Sequence, residues 1–114
     1  MDEAVRLFQR INKDGIIACY DADCTCEPNF LIEIEKFFSV QKNHTALTFF
    51  EHVLNDENDK EITNYELFLR YYVNGLRWAG YPYALQTLGS CISVRSSAYV
   101  RQGGMNRRKA AEDC

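Results

Sequence analysis

Apolar and polar residues fall in blocks along this chain, and the blocks predict alternating helices and strands. Residues 2–10 (DEAVRLFQR) read as a short helix carrying Ala4, Val5, Leu7 and Phe8, with acidic residues in the first turn to suit the positive end of the helix dipole. Lys13-Asp14-Gly15 is a turn. Ile16 to Tyr20 is a short, continuous apolar run, which predicts a buried strand of the kind found in parallel sheets. Asp21 to Glu27 then forms a loop at the carboxyl end of that strand. Pro28 suits the first turn of a helix whose apolar stripe is Phe30, Leu31, Ile34, Phe37 and Phe38, with Glu33, Glu35 and Lys36 lying off it.

Residues 45–51 (TALTFFE) predict a second strand, and residues 55–61 (NDENDKE) an exposed acidic loop. Thr63-Asn64-Tyr65-Glu66 fits a capping box and opens the longest predicted helix, residues 64–79, which stops at Gly80 with Pro82 beyond. Tyr65, Phe68, Leu69, Tyr72, Val73, Leu76 and Trp78 give it a broad apolar face, and its aromatics read as core. Residues 90–95 (SCISVR) alternate as a third strand. Ser96 is placed to cap a short helix over 97–102, which Gly103-Gly104 ends. Strands separated by helices imply an α/β layered domain, whose ligands sit outside the carboxyl ends of strands.

Length and composition narrow the picture. The 114 residues suffice for a single domain, 1–114, with an ordinary 46% apolar and 25% charged content. A net charge of −3 gives no electrostatic case for nucleic acid. Arg101, Arg107, Arg108 and Lys109 form the basic cluster, suited to a diphosphate or an acidic acceptor, though most such clusters are solvated surface. No run approaches the roughly 20 apolar residues of a membrane helix, and the acidic start lacks the apolar stretch of a secretory signal. Cys19, Cys24, Cys26, Cys91 and Cys114 are odd in number and include no C-x-x-C pair. They read as reduced thiols of a cytoplasmic protein. His44 and His52 are isolated, with no partner at recognisable spacing.

The strand ending in Asp21-Ala22-Asp23 sets two carboxylates on one side of a tight loop. Hard divalent cations take oxygen ligands, and Mg²⁺ or Mn²⁺ is commonly held by one or two carboxylates plus substrate phosphates. The pair therefore suits a metal-bound nucleotide; taken alone it is equally a solvated acidic loop, since aspartate is common in loops. The run Asp21-Ala22-Asp23-Cys24-Thr25 also fits the opening motif of haloacid dehalogenase-like phosphatases, in which Asp21 would be the nucleophile. A helix opening directly at Pro28 leaves no room for that family's flap.

The second half weighs more. Gly89-Ser90 opens a strand ending in Arg95, Ala98-Tyr99 follow on a short helix, then Gly103-Gly104, and Glu112-Asp113 closes the segment. Together with Asp21-Ala22-Asp23 and Pro28-x-Phe30-Leu31, this order resembles the family 2 glycosyltransferases over nearly the whole chain. The nearest likeness is to a bacterial subgroup with Tyr65-Glu66-Leu67 and Tyr81-Pro82-Tyr83. The resemblance implies part of a GT-A, Rossmann-like fold. It implies an inverting, metal-dependent transfer of a sugar from a nucleotide-diphosphate-sugar donor to a glycan or lipid-linked acceptor. Asp23 would hold the Mn²⁺ or Mg²⁺, and Asp21 would contact the ribose or share the metal. Asp113 would be the general base, with Glu112 shaping the acceptor side. Gly89, Gly103 and Gly104 would let backbone approach the donor sugar.

The family's catalytic domain is considerably longer. The resemblance therefore implies an internal fragment, inactive or weak by itself. In its full-length form it would lie in the cytoplasm or at the cytoplasmic face of a membrane. The missing strands would leave an exposed edge and an apolar face, so a second copy is expected to cover them. A non-catalytic interaction module that kept the fold remains the alternative outside enzymology.

Overall fold

The computed structural model describes residues 1–54, 59–86 and 88–105. They form two compact units, one of residues 1–48 and 88–105, the other Phe49–Gln86. The class is mixed α and β, as expected.

In the first unit, helix α1 (Asp2–Arg10) leads through the Lys13–Gly15 turn into strand β1 (Ile16–Ala18). Helix α2 (Phe30–Ser39) precedes strand β2 (Thr45–Leu47). After residues 49–86, a 3-10 turn (Gly89–Cys91) runs into strand β3 (Ile92–Arg95) and helix α4 (Ser96–Gln102). The sheet order is β1-β3-β2, and both pairings are antiparallel.

That corrects the expectation of a parallel-sheet strand. Ile16–Tyr20 is shorter than predicted, and its burial differs at each position: Ile17 is buried and Ala18 exposed. The strands β1 and β2, each antiparallel to β3, run parallel to one another without being neighbours. The helix-containing crossover between them is thus that of a βαβ unit, split by the insertion of β3.

The central strand explains the core. Val94 pairs with Ile17 on one side and Thr45 on the other, while Ser93, 2% exposed, lies between Ala18 and Ala46. Ile17 and Val94 join Val5 of α1 and Tyr99 of α4 in one buried cluster, with Met1, Ala4, Phe8, Ala98 and Met105 packed around it. Gly15 leaves room for the Phe8 ring, which a Cβ there would overlap unless the ring shifted. On α2, Ile34 and Phe38, one turn apart, are buried and Phe30 is half-buried, whereas Leu31 and Phe37 of the predicted stripe are exposed.

Two long-range clasps close helix ends, one of them in place of the predicted local cap. Ser96 does not cap α4; it is the first helical residue, and Asp14 supplies the cap from the α1–β1 turn. Asp14 Oδ1 accepts from Ser97 N (3.0 Å) and Ser96 Oγ (2.6 Å), and its Oδ2 accepts from Ser97 Oγ (2.7 Å). Arg95 does the converse for α2. Its guanidinium donates to the carbonyls of Phe38 and, at 2.9 Å, Asn43, and lies over the Phe38 ring. A cation bonded to the last carbonyls complements the negative end of that helix. At the far end of α4, Gly103 closes the helix in the left-handed region at φ 91°, as the glycine pair predicted.

The second unit is built on helix α3 (Asp59–Trp78). It begins five residues earlier than predicted, so Thr63 is interior, not a cap. The Thr63 hydroxyl donates back to the Asp59 carbonyl at 2.7 Å, the usual outlet for a mid-helix threonine. Val73 and Ala84 are buried here. Tyr65, Phe68, Tyr72 and Trp78, predicted as core, are exposed.

Candidate functional site

After Ala18, Cys19 N donates to Ile92 O at 2.9 Å, carrying the pairing one residue beyond β1. The chain then turns, with Cys24 N donating to Asp21 O at 3.1 Å. This turn gathers Asp21, Asp23 and Cys24, whose ligand atoms all lie within 4.8 Å of one another. All three are exposed. The two carboxylates therefore stand together at the carboxyl end of β1, as the sequence predicted.

Desolvation, then the charges of Asp23 and Asp21, push the Cys24 thiol up from its ordinary value. At neutral pH it stays an S–H, and its sulfur lies 3.9 Å from Asp23 Oδ1. The two carboxylates are hard oxygen donors of the kind that suit Mg²⁺ or Mn²⁺. The exposed carboxylates leave most of a cation's coordination shell to water or to substrate oxygens.

Because β3 runs opposite to β1, its entry turn lies at this same end of the sheet. Gly89 belongs to that turn and lines an open cleft of about 630 Å³. Cys19, Tyr99 and Met105 share the lining, with Glu3 and Arg6 from α1. Arg6 is paired with Glu3 at 3.0 Å. Burial first, and then the hydrogen bond to Asp2, raise the Tyr99 phenol. The phenol donates to Asp2 Oδ1 (2.6 Å) and accepts from Met105 N (3.2 Å), which ties the chain beyond Gly103-Gly104 to this wall. Asp21 and Asp23 are not among the lining residues, although Cys19, two positions before Asp21, is. Nor are Gly103 and Gly104, whose neighbour Met105 is. Glu112, Asp113, Arg107, Arg108 and Lys109 lie outside the described residues.

A second polar cluster in the Phe49–Gln86 unit was not read from the sequence. Glu66 Oε1 accepts from His52 N at 2.6 Å and meets His52 Nδ1 at 2.7 Å. Its Oε2 accepts from Arg70 at 3.0 Å. Arg70 also donates to Phe50 O at 3.2 Å and lies 4.4 Å over the Phe49 ring. The His52 side-chain and backbone hydrogen bonds, then Arg70, hold the Glu66 carboxyl down at about 2. His52 thus has the partner that spacing did not disclose. Only the i,i+4 relation of Glu66 and Arg70 was a legible signal.

No family model matches the chain, and no curated protein or solved structure matches it.

Proposed function

We propose that the chain belongs to the catalytic core of a metal-dependent, inverting glycosyltransferase acting on a nucleoside-diphosphate-sugar donor and an acceptor hydroxyl. The observation that supports this best is the pairing of Asp21 and Asp23 at the carboxyl end of β1, at the sheet end where the Gly89 turn also lies. In this reading Asp23 holds the divalent ion, and Asp21 shares it or bonds the ribose. The ion, when bound, offsets the charge that develops on the leaving diphosphate. Gly89 lets the donor approach the backbone of the cleft. Asp113, with Glu112 beside it, accepts the proton of the attacking hydroxyl, since a carboxylate within hydrogen-bond reach suffices for that step. This last assignment rests on the sequence motif. With two exposed carboxylates and the rest of the coordination shell left to water, the chain is expected to bind the metal weakly.

Calorimetry with Mn²⁺, alone and with uridine diphosphate, tests the reading. The expected result is weak Mn²⁺ binding that falls roughly tenfold or more, about 1.4 kcal/mol, in Asp23→Asn. Unchanged Mn²⁺ affinity in the Asp21→Asn/Asp23→Asn double variant would overturn it. An aspartyl-phosphate at Asp21 after incubation with a phosphate monoester would transfer the chain to the phosphatases instead.

A further inference from the structure

We infer that helix α3 is a homodimerisation helix, pairing antiparallel with α3 of a second copy through its outer aromatic face. Around the helix, Val73, Leu69 and Leu76 lie on one side, buried or half-buried. On the other side Leu67, Phe68, Tyr71, Tyr72 and Trp78 stand in solvent, Tyr71 at 77% and Trp78 at 92% exposure. Asn64, Phe68, Tyr71, Gly75 and Trp78 follow one another at steps of four and three, the seam of a helix that packs on another helix.

Two observations choose a second copy as the occupant. The first is area. At about 200 Å² per aromatic side chain, and with 57–92% of each exposed, Phe68, Tyr71, Tyr72 and Trp78 together present roughly 600 Å². That reaches the upper limit of roughly 300–600 Å² for the largest apolar patch on a typical monomer. With Leu67 on its flank the face comes to roughly 700 Å², close to the roughly 800 Å² that each partner gives to a standard interface.

The second is self-complementary shape. Gly75 interrupts the aromatic seam, and nothing lies within 4 Å of where its Cβ would be. An exposed glycine inside a helix costs about 1 kcal/mol against alanine, and no contact among the described residues explains it. In an antiparallel pair with its two-fold axis between Tyr71 and Tyr72, Phe68 of one copy stands opposite Gly75 of the other, and the reverse. A two-fold interface must offer the same patch twice, and this seam carries both the knob and the notch. Phe68 is already stacked on Tyr72, centroids 6.4 Å apart, so the knob is held in place before association.

The test is sedimentation equilibrium with reductant present, from about 1 μM to about 1 mM protein. Wild type should shift from monomer to dimer across this range, with Trp78 fluorescence moving to the blue. Gly75→Leu fills the notch while raising helix propensity, so it should weaken dimerisation roughly tenfold or more without lowering the stability of the monomer. Phe68→Ala should weaken it likewise. A monomer throughout, a dimer that reductant abolishes, or a Gly75→Leu variant that dimerises as well as wild type would each overturn the inference.

Discussion

The two compact units satisfy the same physical demands by opposite means. Around the sheet, side chains far apart in sequence do the joining: Asp14 holds Ser96 and Ser97, Tyr99 holds Asp2 and Met105, and Arg95 ends α2. Four residues from four different elements close a single buried cluster there. In Phe49–Gln86 one long helix carries the structure, the polar links of Glu66 and Arg70 span 4 to 20 residues, and most of its large apolar residues face solvent. Burial of apolar area is the main favourable term in folding. The first unit therefore holds its stability internally, whereas the second has surface left with which to gain stability from a partner.

The largest effect that could break this contrast comes from the core. Ile17→Ala empties a buried site between α1, β3 and α4 and should cost about 2–4 kcal/mol in urea unfolding. Val73→Ala in α3 should cost about 1.5 kcal/mol or less, from the methyl groups lost. Equal losses would mean that the helical unit has a core comparable to that of the sheet.

Next in size is the Asp14 clasp. Asp14→Ala removes the cap of α4 and should cost about 1–2 kcal/mol. Its pH dependence has a definite sign. Desolvation raises the Asp14 carboxyl, but hydrogen bonds from Ser96 and Ser97 outweigh it, so the folded value lies below the ordinary 3.8. The stabilisation is therefore complete above 3.8 and is lost as pH falls through the folded value. An acid-unfolding profile that is the same for wild type and Asp14→Ala would remove the clasp from the account.

The smallest effect sharpens the comparison from the other side. Glu66→Gln should cost about 1 kcal/mol, because the pair with Arg70 and His52 borders solvent and is screened. With the carboxyl held at about 2 against an ordinary 4.5, that contribution is full above pH 4.5 and fades as the pH falls toward 2. Unfolding of wild type and variant followed between those limits should converge at the acid end.

What the sequence disclosed was mostly local. Helix α1 has the predicted bounds, and α2 and α4 start within two residues of prediction, because amphipathic spacing and the glycine pair act within a few residues. The turn that gathers Asp21 and Asp23 was legible for the same reason. The sheet was not, since a continuous apolar run such as Ile16–Tyr20 records burial but not the direction of its neighbour. Asp14 reads as a turn residue until β3 brings Ser96 beside it, and the pairing of His52 with Glu66 depends on where a loop returns. The aromatics of α3 show the limit of periodicity. It reports a face that avoids water, not whether this chain supplies the cover.

One bond pattern has a consequence for the chain as a connected polymer. Thr48 donates to Cys91 O through both its backbone N (2.9 Å) and its hydroxyl (3.2 Å), joining residues 43 apart just where the chain leaves β2 and re-enters toward β3. The intervening segment is thus an insertion between two strands of one sheet. Each doubling of a flexible loop costs only about 0.6 kcal/mol of closure entropy. A short turn joining Thr48 to Gly89 should therefore leave the sheet folded and favour it by up to about 2 kcal/mol of that entropy. By the same arithmetic, inserts of quite different length are tolerable between these strands. The sheet could keep its register while the inserted helix, and with it the choice of partner, is exchanged.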